Sequence, residues 1–285
     1  MPTPPAIPSS FIFSASSMQD YVDCPRRFQL RYLQHCDWPA VETEPVALTE
    51  RHMERGHEFH RLAHQHHLGI PDDLLTAVAD NTGLGEWWSD FLANGPAGLP
   101  PARRAEFALT MPLAGYRLGA KYDLVAAGPG RLVIVDWKTN IKRPPRVALD
   151  LRLQTRVYPF LLAQAGGSIA SAVVAAAGAP PGVDPTTIEM VYWFTGFPRQ
   201  PEVFRYSTAS MEEDRDYLTR LISEIADNAA GTFSPAVDQQ RCRFCVYRSL
   251  CERQVDPASY EDEDADSTEA AEISLDLEQI AEIVY

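Results

Sequence analysis

Two charged residues close the apolar run Val133-Ile134-Val135-Asp136-Trp137-Lys138-Thr139: an acid, then a lysine two positions on. The β-branched run reads as a buried strand, where both charges are costly unless something neutralises them. Strand alternation puts Leu132, Ile134, Asp136 and Lys138 on one face, so the carboxylate and the ammonium point the same way at the strand's end. A carboxylate so placed can hold Mg²⁺ or Mn²⁺, and the lysine beside it can orient a water or stabilise charge developing on a phosphate. An isolated Asp-x-Lys is otherwise a weak strand-end salt bridge. Other residues favour the chemical reading. Asp123 lies on the preceding strand, across a Gly128-Pro129-Gly130 turn, and can bring a second carboxylate to the same ion. Gln154 and Tyr158 stand at i, i+4 on one helix face. His60, on an earlier helix, offers an imidazole suited to the same metal. His60 and His64 are also spaced as a zinc pair, though no partner set accompanies them, and His52, His66 and His67 read as solvated.

The cysteines form a second constellation. Cys242, Cys245 and Cys251 follow C-x2-C-x5-C spacing, and three thiolates within ten residues leave one position of a tetrahedral metal or a cubane open. In a reducing compartment, five cysteines make poor disulfides and better metal or cluster ligands.

These residues must be held by a chain of 285 residues, 45% hydrophobic, which suffices for one large core or two small ones. A Ser-rich cap and helical spacing predict a helix over about 17–33. A second helix is expected from a cap at Thr49 to a stop at Gly69, and it holds six of the seven histidines. Residues 71–100 read as helix and loop, packed through Trp87, Trp88, Phe91 and Leu92. From Ala105 the period changes to two, giving a three-strand antiparallel meander. A helix over about 149–165, a second β-pair and a helix over about 211–230 follow. The expected class is α/β, with a mixed central sheet flanked by helices.

The segments "GHEFH" (56–60), "GAKYD" (119–123), "VDWKT" (135–139) and "QTRVY" (154–158) resemble the PD-(D/E)XK nucleases, in particular the RecB-like branch with AddB and the CRISPR-associated exonucleases. That resemblance implies a restriction-endonuclease-like core with a metal on His60, Asp123, Asp136 and the carbonyl of Trp137. It makes Lys138 the catalytic lysine and sets Gln154 and Tyr158 along the DNA path. Two departures stand out. Asp136 occupies a position where many relatives carry Glu, and Pro159, directly after Tyr158, is expected to kink or shorten that helix. The branch's iron-sulfur members carry one cysteine before the nuclease core and three after it. By the resemblance, Cys24, Cys242, Cys245 and Cys251 therefore hold a 4Fe-4S cluster that joins the N- and C-terminal segments, with Cys36 left over. Zinc in the same four thiolates is the alternative.

The formal charge of −14 looks adverse to DNA binding, but eleven acids lie between 256 and 285 with no Lys or Arg. Removing those eleven leaves about −3 for the rest. Arg26, Arg27, Arg31, Arg241, Arg243, Arg248 and Arg253 flank the cysteines and could form a phosphate-binding surface, unless they pair with acids such as Asp23 and Glu252. The expected organisation is a nuclease domain over 1–258 and an acidic tail over 259–285, either a solvating tail or a DNA mimic that occupies the groove. No apolar run spans a bilayer and the N-terminus lacks a secretory pattern, so the expected location is cytoplasmic. The functional expectation is a Mg²⁺- or Mn²⁺-dependent exonuclease on single-stranded DNA or DNA ends, in repair, recombination or CRISPR adaptation. Lacking a phosphate-binding Gly-rich loop, it would need a helicase partner for unwinding. The competing class is a non-catalytic iron-sulfur module that binds DNA or scaffolds a partner.

Overall fold

The computed structural model describes residues 7–36, 44–174, 183–229, 231, 233–251, 253 and 255; the acidic tail lies outside them. Strand alternation is realised in a six-stranded mixed sheet of β1 (Ile12–Phe13), β2 (Ala102–Leu113), β3 (Tyr116–Gly128), β4 (Arg131–Lys138), β5 (Ile188–Phe194) and β6 (Glu202–Arg205). The expected meander is β2-β3-β4. Then β5 joins β4 in parallel and β6 closes antiparallel on β5. The two-residue β1, too short for any periodic signal, pairs parallel with β3.

The helices are α1 (Ala15–Asp23), α2 (Pro25–Phe28), α3 (Glu44–His67), α4 (Asp72–Asn81), α5 (Gly85–Asn94), α6 (Arg146–Asp150), α7 (Leu153–Val174) and α8 (Thr208–Asn228). They cover both faces of the sheet. Ile134, Met190 and Tyr192 pack with Met18 of α1, Phe160 and Leu161 of α7 and Ile222 of α8. On the other face Val133, Val135 and Trp193 pack with Phe59 and Leu62 of α3, Leu75 of α4, and Trp88 and Phe91 of α5. Leu92, expected in that packing, stays 42% exposed.

Three local outcomes differ from expectation. The single helix over 17–33 is broken between α1 and α2, because Pro25 has no amide to continue it and holds Cys24 extended at φ −161°. A capping box starts α1: Ser14 Oγ accepts from the Ser17 amide at 3.1 Å and Ser17 Oγ from the Ser14 amide at 2.9 Å. Pro159, by contrast, does not end α7, which runs on to Val174. Val157, Phe160 and Leu161 are fully buried around it, and their packing offsets the lost hydrogen bond. Finally, the alternation slips inside the β2–β3 hairpin. Ala105 and Leu124 belong with the second core, whereas Phe107 and Tyr122 belong with the first, although Ala105 and Phe107, like Tyr122 and Leu124, lie two residues apart on one strand. The slip occurs at Glu106, whose φ of +52° is rare for a residue with a side chain.

Candidate active site

The site forms where the sheet forks. β2 pairs with one edge of β3 along its length, while the other edge is shared by β1, at Arg117 and Leu118, and β4, whose pairing ends at Leu124 with Val135. β4 then follows β5 as far as Lys138 opposite Phe194. At the fork the Asp123 side chain takes over the ladder's role, its Oδ2 accepting from the Trp137 amide at 2.8 Å. Its Oδ1 lies 3.3 Å from His60 Nδ1 on α3. Burial raises the Asp123 pKa, but His60, the Trp137 amide and Lys138 outweigh it, so the carboxyl sits below its usual range.

Asp136 occupies the same cavity in a different arrangement. Its Oδ2 is 2.7 Å from Lys138 Nζ, and its Oδ1 accepts from Gln154 Nε2 at 2.6 Å, while Gln154 Oε1 accepts from Lys138 Nζ at 2.8 Å. These three buried groups close a ring of one ion pair and two charge-assisted hydrogen bonds. Burial, with the Asp123 charge, raises the Asp136 pKa to about 6 against the pull of Lys138. Beneath the ammonium, the Tyr192 ring centroid lies 5.3 Å from Nζ. Tyr158 is buried one helical turn beyond Gln154, and its carbonyl accepts from the Tyr122 hydroxyl at 3.0 Å. A cavity of about 340 Å³ joins His60, Asp123, Asp136, Lys138, Gln154 and Tyr158, with α1 contributing Gln19 and Asp20 and α3 contributing His57 and His64.

Every predicted catalytic and divalent-metal residue therefore reaches this cavity, Trp137 included. The sequence reading missed Glu106, which lies across from Asp123 where the hairpin ladder is interrupted, between the pairs Ala105–Leu124 and Phe107–Tyr122. Its carboxylate pairs with Lys121, and its ligand atoms, with those of His60 and Asp123, all lie within 4.8 Å of one another. The signal was available. The Ala114-Gly115 turn, with both residues at positive φ, sets Leu113 opposite Tyr116, and counting back from that pair places Glu106 opposite Asp123. An imidazole and two carboxylates at this spacing fit a hard divalent cation.

The histidines expected in solvent are mostly engaged. His52 is buried, with Nε2 2.6 Å from the Thr139 carbonyl just beyond β4. His66 pairs with Asp72 at 2.7 Å, and His67 stacks on Trp137, where burial lowers its pKa to about 4.

The second constellation also assembles. Cys24, at the break imposed by Pro25, and Cys242, Cys245 and Cys251 line one small cavity. The Ala236 amide donates to Cys24 Sγ at 3.3 Å and Arg253 to Cys242 Sγ at 3.8 Å, contacts that suit electron-rich thiolates. Cys36 is not among the lining residues. Four thiols facing one cavity fit a thiolate-held cluster or metal. The arginine surface is partly neutralised: Arg27 pairs with Asp20 at 2.8 Å and with Asp23 at 2.9 Å, Arg31 with Asp20 at 3.1 Å, and Arg241 with Asp23.

Among the described residues, no helix is long and apolar enough to cross a membrane. No curated protein matches the sequence. Among solved structures, a candidate exonuclease from Eubacterium rectale resembles the chain at 11% identity and a TM-score of 0.45, covering 88% of this chain and 92% of its own. The protein SSO0001 does so at 12% identity and a TM-score of 0.37, over 87% and 90% of the two chains. Residues 12–252, which hold both constellations, match the sequence pattern of one group of phosphodiester hydrolases, and the chain belongs to the PD-(D/E)XK nuclease superfamily.

Proposed function

We propose that the protein is a divalent-metal-dependent deoxyribonuclease of the RecB-like, iron-sulfur branch, acting as an exonuclease on single-stranded DNA or DNA ends. The observation that carries this reading is the convergence of His60, Asp123, Asp136 and Lys138 at the sheet fork. A bound Mg²⁺ or Mn²⁺ supplies Lewis acidity toward the scissile phosphate and an acidified water. His60, Asp123 and Asp136, with the Trp137 carbonyl, are the residues to hold it. Lys138 presents a fixed ammonium to the attacking water or to the charge growing on the phosphate. Gln154 fixes that ammonium by accepting from it, so the lysine is oriented before substrate arrives. Tyr158 and Gln154 line the strand's path.

A cavity of about 340 Å³ lined by α1 and α3 admits a single strand far more readily than an intact duplex, which supports the preference for single-stranded DNA. Such an activity belongs to repair, recombination or CRISPR adaptation, with a helicase-type partner supplying unwound strands. The test compares linear and circular single-stranded DNA of one sequence with Mn²⁺. Degradation of the linear form alone is expected; equal cleavage of the circle would overturn the requirement for ends.

The four cysteines are the ligands of a 4Fe-4S cluster in this reading, a tie between the N- and C-terminal segments rather than a redox centre.

A further inference from the structure

We infer that Glu106 is a metal ligand of this site, supplied by β2 and additional to His60, Asp123 and Asp136; the inference rests on the nuclease reading above. Three features of the hairpin converge on it. The pairs on either side, Ala105 with Leu124 and Phe107 with Tyr122, leave Glu106 and Asp123 across from each other where the ladder is interrupted. Both strands shift their core-facing side at this pair, so the slip turns the two carboxylates away from the apolar layers and toward His60. At Glu106 the backbone takes a φ of +52° in mid-strand, a left-handed conformation that a residue with a side chain rarely adopts.

Asp136 is the less available carboxylate when no metal is present. Both of its oxygens are engaged, one by Lys138 and one by Gln154, and it is buried. Glu106 instead faces the His60–Asp123 pair, and its own counter-ion, Lys121, has a side chain 42% exposed. A half-exposed lysine can swing into solvent at little cost, whereas Lys138 cannot. Lys121 is thus the counter-ion of Glu106 that a cation bound there would replace. Glu106 and Asp123, with His60, make the entry set for the ion.

Mn²⁺ binding without DNA, followed by calorimetry and by the free-Mn²⁺ electron paramagnetic resonance signal, tests this apart from activity. Wild type, Asp123→Asn, Glu106→Gln and the double variant Glu106→Gln/Lys121→Met are compared, each checked by circular dichroism. The expected result is a loss of affinity of about 10-fold or more in Glu106→Gln that persists in the double variant. Unchanged affinity in Glu106→Gln would overturn the inference. So would recovery in the double variant, because Glu106 would then act only by neutralising Lys121. No binding by the wild type, or wild-type binding by Asp123→Asn, would instead sink the metal site of the nuclease reading itself.

Discussion

Lys138→Met is expected to lower DNA cleavage by at least about 10²- to 10³-fold while leaving the fold intact. Methionine keeps the length of the buried stem but removes the ammonium that lies within hydrogen-bond reach of both Asp136 and Gln154. Breaking a buried ion pair ordinarily costs about 3–5 kcal/mol, because the remaining charge is stranded. Here Asp136 has a way out: burial already raises its pKa to about 6, and losing the lysine raises it further. The sign follows from linkage. A carboxyl whose folded pKa lies above its unfolded value favours folding most below the unfolded value, and that advantage disappears as pH rises through the folded pKa. The variant should therefore melt close to wild type near pH 5 and fall progressively below it toward pH 8. Single-turnover cleavage and thermal melts across that range check both parts. Substantial cleavage by a folded Lys138→Met protein would remove the lysine from the chemistry.

Cys24→Ala is expected to cost the proposed cluster and, with it, the closure of the domain that the cluster would provide. The proposed ligands come from opposite ends of the nuclease region, so such a link would close a loop of more than two hundred residues, for which the chain-entropy estimate is about 4–5 kcal/mol. In a domain of this size, that corresponds to roughly 10 °C in melting temperature. Part of the N-terminal contact survives without the cysteine, since Tyr21 of α1 still donates to Glu224 and accepts from Asn228 on α8. The variant should thus fold around an intact sheet but expose the segment around 236–251 to protease. Iron analysis and absorption near 400 nm on anaerobically purified protein accompany the melts. Stoichiometric zinc without iron in the wild type would replace the cluster with a structural zinc.

Much of this arrangement was legible before any coordinates, because strand alternation and the turn residues fix local geometry strongly. The shared face of Ile134, Asp136 and Lys138, the meander and the i, i+4 placement of Gln154 and Tyr158 all follow from periods of two and 3.6. What escaped depends on events that periodicity cannot express. The slip at Glu106 changes which face a strand presents, so alternation counted from either end misleads beyond that residue. β1 is two residues long and exists through its pairing with β3, not through its own pattern. Pro159 was weighed as a helix breaker on local grounds, yet the buried residues around it carry α7 through. His52 looked like one more solvated histidine, but its imidazole meets the Thr139 carbonyl, a contact between residues distant in the chain.

The most direct measurement is digestion of end-labelled single-stranded DNA by the anaerobically purified protein and its Asp123→Asn variant, side by side, with Mn²⁺ and with chelator. Asp123 accepts from the Trp137 amide, lies beside His60 and belongs to the group that fits a cation, so no other single change removes as much of the site. The expected result is cleavage by the wild type that requires the metal and vanishes in a variant with an unchanged circular dichroism spectrum. Cleavage that persists in Asp123→Asn, or that is indifferent to chelator, would contradict a metal-dependent nuclease site at this fork.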